Sequence, residues 1–257
     1  MNAPALPAVF SRLPVTHRAL HDRDAGRPEN GVEAIHAAVD AGYGIEIDLQ
    51  LSSDGVAMVF HDYKLDRVTA ETGAVDARSA ADLQAIKLSG GEAGIPTFAE
   101  VLALVGGRVP LLVELKDQDG RDAHAPGTLE ARAAEAVAGY TGPLAFMSFN
   151  LGMVARLAEL APDVPRGITT CSYEGEHFAH LSEAARAHLQ AIGDFERVGA
   201  SFISHEWQDL GRDSVQALRA RGIPVLCWTL RDPADEARAR ALAENVTFEQ
   251  YRAAFPT

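Results

Sequence analysis

Apolar and polar positions along this chain change period again and again. Short apolar runs alternate with stretches in which apolar residues recur every three to four positions, the signature of strands alternating with amphipathic helices. Strands are expected at 13–19, 44–52, 110–116, 144–149, 166–170, 200–205, 224–230 and 245–248. Between them the spacing predicts helices over about 32–41, 98–105, 128–139, 151–160, 181–192, 213–221 and 233–244. Asn30 is placed to cap the first helix with Glu33 three residues on, and Gly42 to stop it. Thr97 and Glu100 form the same pair before Phe98, Val101, Leu102 and Val105. The polar residues 117–126 read as a loop.

One interval breaks the alternation. The apolar run 56–60 follows 44–52 too closely for a parallel crossover, which takes a dozen or more residues. It must fold back as a hairpin with Asp54-Gly55 as the turn. Residues 53–95, rich in Gly, Thr, Ser and Asp, therefore read as an insertion. With the hairpin set aside, eight strands with intervening helices fit an α/β (β/α)8 (TIM) barrel with a small insertion after the second strand. One such domain would span residues 1–257. An open doubly wound sheet is the alternative.

The run Gly44-Ile45-Glu46-Ile47-Asp48-Leu49 puts two carboxylates on one face of a strand and three aliphatic side chains on the other. Adjacent buried carboxylates repel unless a cation or donor compensates them, and a hard divalent ion does so directly. An edge strand with a wet face is the plainer account. The C-terminal ends of the other expected strands also carry polar groups. His17 and Arg18 follow the first, His61 and Asp62 follow the hairpin, Glu114 and Lys116 end the third, and Trp228 lies in the seventh. Each has a bland reading: a satisfied core histidine, a neutralising Glu114–Lys116 pair, a solvated Arg18, a rim tryptophan. Around one barrel mouth, however, so many charges are a costly way to stabilise a core and a sensible way to hold a metal and a phosphate.

His17-Arg18, Pro28-Glu29-Asn30, Glu46-x-Asp48, Ser53-Asp54-Gly55, Val59-Phe60-His61-Asp62, Ile95-Pro96-Thr97, Glu100-Val101-Leu102, Glu114-x-Lys116 and Trp228-Thr229 together resemble the glycerophosphodiester phosphodiesterase family. The likeness is densest over residues 13–117. It implies a metal-dependent barrel that hydrolyses glycerophosphodiesters to glycerol 3-phosphate and an alcohol. Carried over by position, Glu46, Asp48 and Glu114 would bind one Mg²⁺ or Ca²⁺. His17 and His61 would be the acid–base pair, Arg18 and Lys116 would contact the phosphate, and Trp228 would line the pocket. Four features depart from the family: Ala19 for a usual glycine, a longer loop over residues 20–26, Arg231 for a usual asparagine, and an altered ending at residues 245–249. They bear on which alcohol is released. A lysophospholipase D- or sphingomyelinase D-like lipid phosphodiesterase, and a non-catalytic metabolite-binding barrel, are the competing readings.

Charge and composition narrow the partners. The chain has 257 residues, with 23 Lys and Arg against 36 Asp and Glu, for a formal charge of −13. That balance argues against nucleic acid as a partner and leaves a small-molecule diester. Two distant cysteines, Cys171 and Cys227, give no disulfide framework or zinc spacing. Pro4 and Pro7, with no basic or apolar leader and no run long enough to span a bilayer, point to a cytoplasmic protein without integral membrane association.

Overall fold

The computed structural model describes residues 3–118 and 127–256. Strand β1 (Val15–Thr16) pairs in parallel with β2 (Gly44–Leu51). Strand β3 (Ala57–Val59) stands outside the ring, antiparallel to the end of β2. From β2 the parallel sheet continues through β4 (Leu111–Leu115), β5 (Leu144–Ser148), β6 (Arg166–Thr170) and β7 (Phe202–Glu206). It ends through β8 (Val225–Leu230) and β9 (Asn245–Phe248), and β9 returns to β1. That last pairing closes a (β/α)8 barrel and excludes the open sheet.

Side-chain alternation divides the barrel into two packed layers. Ile45, Ile47 and Leu49 face outward and join Ile35 and Val39 of helix α1 (Val32–Ala41) in the main core. Leu112 of β4, Phe202 of β7 and Leu226 of β8 face inward, where Leu6 and Phe10 plug the N-terminal end. Gly167 of β6 makes room for the Phe202 ring, since a Cβ there would lie 2.4 Å from it. The bottom of the barrel is thus solid, and the chemistry is confined to the C-terminal mouth.

The hairpin forms as expected, with Leu51 opposite Ala57 and Gly55 at φ +77°. Residues 53–95 carry the short helix α2 (Ala80–Ala85) and a small core of their own around Met58, Phe60, Leu65, Val75, Leu83 and Leu88. Helix α3 (Phe98–Val105) starts at the expected capping box of Thr97 and Glu100. The remaining helices are α4 (Thr128–Ala136), α5 (Leu151–Leu160), α6 (Glu183–Gln190), α7 (Asp213–Ala220) and α8 (Pro233–Ala239). Several end a turn earlier than the spacing predicts; α4 stops ahead of Gly139 at φ +86°. Most of the loop expected over residues 117–126 lies outside the described residues.

The start of α1 differs from its sequence reading. Gly31 is the N-cap and makes no side-chain bond. Asn30 has a left-handed backbone (φ +56°) and points its amide elsewhere. The Glu33 carboxylate, expected in a capping box, accepts the backbone N–H groups of Glu92 (2.8 Å) and Ala93 (3.0 Å). It ties the insertion to the barrel.

Candidate active site

Strand β2 turns Glu46 and Asp48 into the barrel, and register places Glu114 of β4 beside Asp48. The three carboxylates are 2%, 1% and 7% exposed. One oxygen from each lies within 4.8 Å of the others. Lys116 Nζ bridges two of them, 2.8 Å from Asp48 Oδ1 and 2.6 Å from Glu114 Oε1. The Arg18 backbone N–H donates to Glu46 Oε2 at 2.9 Å. Asn30 Nδ2 donates to Asp48 Oδ2 at 2.9 Å. Arg18 Nε, 3.5 Å from that same oxygen, is buried without an acceptor.

Two cations therefore face three buried carboxylates, which leaves one negative charge without a partner. Burial, with the charges of Asp48 and Glu114, pushes Glu46 well above the ordinary carboxylate range. Burial also raises Glu114, against the pull of Lys116. Burial opposes ionisation of Asp48 too, but Lys116, His61 and Arg18 outweigh it and hold the group ionised. An all-oxygen set short of one positive charge suits a hard divalent cation.

The two histidines line the same cavity as this trio, each anchored through Nδ1. His17 Nδ1 is 2.6 Å from Glu249 Oε2. His61 Nδ1 is 2.6 Å from Asp62 Oδ1. Donation of Nδ1–H to a carboxylate fixes the tautomer and leaves Nε2 for chemistry. Both carboxylates are themselves held. Arg231 Nε donates to Glu249 Oε1 at 2.7 Å, and His21 Nε2 lies 3.3 Å from Oε2. Arg67 Nε donates to Asp62 Oδ2 at 2.6 Å and its NH groups donate to Glu29, which also accepts from Arg18. Burial opposes the Glu249 charge, but the bonds from His17 and His21 keep it far below the ordinary range. Burial lowers His17 although Glu249 opposes it. Burial lowers His61 to about 4, with Asp48 opposing and Lys116 and Arg18 assisting.

All eight residues singled out from the sequence, His17, Arg18, Glu46, Asp48, His61, Glu114, Lys116 and Trp228, line one cavity of about 190 Å³. Trp228 sits where the β8–β9 register shifts; its Nε1 donates to the Ser204 carbonyl and Phe149 meets its ring edge-on. Lys116 and Arg18 are not free-standing: both are engaged with the carboxylates. Sequence reasoning missed the supporting residues. Glu29 was visible only as part of a recurrent motif, Asn30 was read as a helix cap, Asp62 was noted beside His61 without a role, Arg67 carried no signal, and Glu249 stood out only as a departure.

Comparison with known proteins agrees with this geometry. A model of the glycerophosphoryl diester phosphodiesterase family matches residues 17–247. The chain is 26% identical over 226 residues to a glycerophosphodiester phosphodiesterase of Bacillus subtilis, covering 80% of this chain and 73% of the relative. It is 27% identical over 239 residues to YhdW of the same organism, covering 87% and 89%. Among solved structures, it is similar in fold to a phosphodiesterase of Oleispira antarctica in complex with the product sn-glycerol-3-phosphate. That likeness has a TM-score of 0.74 at 24% identity and covers 95% of each chain. Among the described residues no helix is long and apolar enough to cross a membrane. With the family model matched across nearly the whole barrel, the chain belongs to the glycerophosphoryl diester phosphodiesterase family of phosphodiester hydrolases.

Proposed function

We propose that this enzyme hydrolyses small glycerophosphodiesters to glycerol 3-phosphate and an alcohol, with two-histidine acid–base chemistry beside one Mg²⁺ or Ca²⁺. The carrying observation is that both anchored imidazoles, the acidic trio and two cations share one cavity. The relative from Oleispira antarctica, which holds sn-glycerol-3-phosphate, supports the choice of substrate.

Glu46, Asp48 and Glu114 would hold the ion, which when bound supplies positive charge to the non-bridging phosphate oxygens. Arg18, whose buried Nε lacks an acceptor, is placed to give that N–H to one of these oxygens. His61, its Nδ1 held by Asp62 so that Nε2 is left for chemistry, acts as the base and takes the proton of the attacking hydroxyl at Nε2. The new P–O bond forms as the bond to the alcohol breaks, and the departing oxygen receives a proton from His17 Nε2. Glu249 stabilises the imidazolium before that transfer. Trp228 and Phe149 wall the cavity and restrict water.

The test is release of glycerol 3-phosphate from glycerophosphocholine and glycerophosphoethanolamine, with EDTA and with Mg²⁺ or Ca²⁺ restored. Activity should vanish with chelation and return with the ion; indifference to EDTA would remove the metal. His17→Ala and His61→Ala should each lower turnover by about a hundredfold or more, the usual scale of general acid–base catalysis.

A further inference from the structure

Two imidazoles converge on one carboxylate oxygen behind the proposed acid. Glu249 Oε2 lies 2.6 Å from His17 Nδ1 and 3.3 Å from His21 Nε2. The three atoms stand within 4.8 Å of one another, on side chains that are 9%, 15% and 20% exposed. Among the described residues, only Glu46, Asp48 and Glu114 also bring three metal-ligating groups so close. An anchor for His17 does not call for the second ring. Arg231 Nε, 2.7 Å from Oε1, already balances the Glu249 charge, and a single N–H fixes the His17 tautomer. With Oε1 taken by Arg231, Oε2 alone faces both nitrogens, which is how a supporting residue prepares a carboxylate to bind a metal through one oxygen. Two ligands held about 2.0–2.1 Å from one tetrahedral ion are about 3.3 Å apart. The His21 contact has that length already, and His17 would need to withdraw by about 0.7 Å. His21 and Glu249 also line a cavity of about 500 Å³ that shares no wall residue with the 190 Å³ cavity. An ion can therefore enter without crossing the phosphate site. Both residues lie in segments where this chain departs from the family pattern.

We propose that His17 Nδ1, His21 Nε2 and Glu249 Oε2 form a second metal site, for a divalent ion of the zinc class, and that filling it stops turnover. Two imidazoles and one carboxylate with an open fourth position suit Zn²⁺ and its neighbours, whereas Mg²⁺ and Ca²⁺ prefer the all-oxygen trio. On binding, His17 carries its proton on Nε2 instead of Nδ1, and His21 carries its proton on Nδ1 instead of Nε2. Both rings stay neutral and no proton is released. The site rests on geometry alone; its effect on turnover rests on the phosphodiesterase reading, in which His17 Nε2 protonates the departing oxygen. The imidazolium that does so carries its second proton on Nδ1. A metal in place of that proton withdraws less electron density from the ring, so Nε2–H becomes a weaker acid and the departing oxygen is left without its proton.

The first test is X-ray absorption at the zinc edge, on the enzyme in excess Mg²⁺ with one equivalent of Zn²⁺. Two imidazole nitrogens at about 2.0–2.1 Å are expected. A shell of oxygens alone would mean that zinc had entered the trio, and would overturn the proposal without any variant. Calorimetric titration with Zn²⁺, again in excess Mg²⁺, locates the site. His21→Ala and Glu249→Ala, checked for fold by circular dichroism, should each weaken binding by about a hundredfold or more, the upper end of what losing even a supporting residue costs. Glu46→Gln should leave it in place. Unchanged affinity in both folded variants, or loss in Glu46→Gln instead, would overturn the assignment. Turnover of glycerophosphocholine in Mg²⁺ should fall at least about tenfold as zinc fills the site, the scale on which general acid catalysis is lost. Zinc bound at the three residues with turnover intact would overturn the inhibition. Absence of turnover before zinc is added counts against the phosphodiesterase reading and not against the metal site, which the absorption spectrum decides.

Discussion

Replacing Asn30 by glycine and by alanine separates two contributions that meet at one buried residue. Asn30 is 1% exposed, its amide donates to Asp48 Oδ2 at 2.9 Å, and its backbone lies at φ +56°. A hydrogen bond to a charged group is worth about 1.5–3 kcal/mol, and both substitutions remove it. Glycine adopts the left-handed conformation freely but loses about 0.4–1 kcal/mol through a looser unfolded chain. Alanine avoids that loss and instead carries about 1–2 kcal/mol of steric strain at positive φ. Asn30→Gly should therefore destabilise the metal-free protein by about 2–4 kcal/mol. Asn30→Ala should cost about 2.5–5 kcal/mol, and the gap between the two is the strain less the glycine entropy. The assay is urea unfolding, followed by fluorescence and circular dichroism to check that the transitions coincide. Because Asn30 orients a proposed ligand, both variants should also weaken Mg²⁺ binding by about ten- to a hundredfold, the usual cost of losing such support. Stability within 0.5 kcal/mol of the parent in either variant would refute the account of the hydrogen bond. Alanine clearly more stable than glycine would refute the account of the backbone.

Glu249→Gln removes the charge that opposes the lowering of His17. The His17 pKa should fall further, so the basic limb of kcat moves to lower pH, with turnover down by about tenfold or more. An unshifted profile would detach Glu249 from the mechanism. His61 titrates near 4 in the folded chain against about 6.5 unfolded, so the unfolded state takes up its proton first as pH falls. Its contribution to stability is complete above pH 6.5 and is lost down through pH 4. The loss is at most about 3 kcal/mol, less for a ring that keeps some solvent contact, and His61→Asn should flatten that part of a urea-midpoint profile. Burial pushes the Cys171 and Cys227 thiols up to about 12, so the native protein should resist Ellman's reagent at pH 8 until denatured. Prompt titration of either thiol would contradict their burial. Thr97→Ala, which breaks the capping box of α3, should cost about 1 kcal/mol by urea unfolding.

What could be read from the residues follows from how far each signal reaches along the chain. Glu46 and Asp48 were legible because a strand's two-residue period fixes their common face without any knowledge of the partner strand. The Asp54-Gly55 hairpin was legible because a chain cannot cross over in so few residues. Asn30 was misread for the same local reason. A polar residue just before an apolar helical stripe looks the same whether it caps the helix or turns its amide to a carboxylate on the next strand, and only the value of φ decides. Glu249 is the harder case, being 232 residues from the histidine it anchors. Nothing local marks it, yet barrel closure makes it inferable. If eight strands close, the last must lie beside the first, and the register pairs Thr16 with Phe248. The residues that follow each strand then stand side by side at the mouth, which brings Glu249 to His17. The same closure brings Arg231, which follows β8, and His21, from the lengthened first loop, onto the same carboxylate. Three separate departures from the family pattern thus meet around one histidine. Arg231 and His21 both act by holding the Glu249 carboxylate, so their effects should not add: Arg231→Asn should lower turnover in the parent and change little in Glu249→Gln, and an equal loss in both backgrounds would break the coupling argued here.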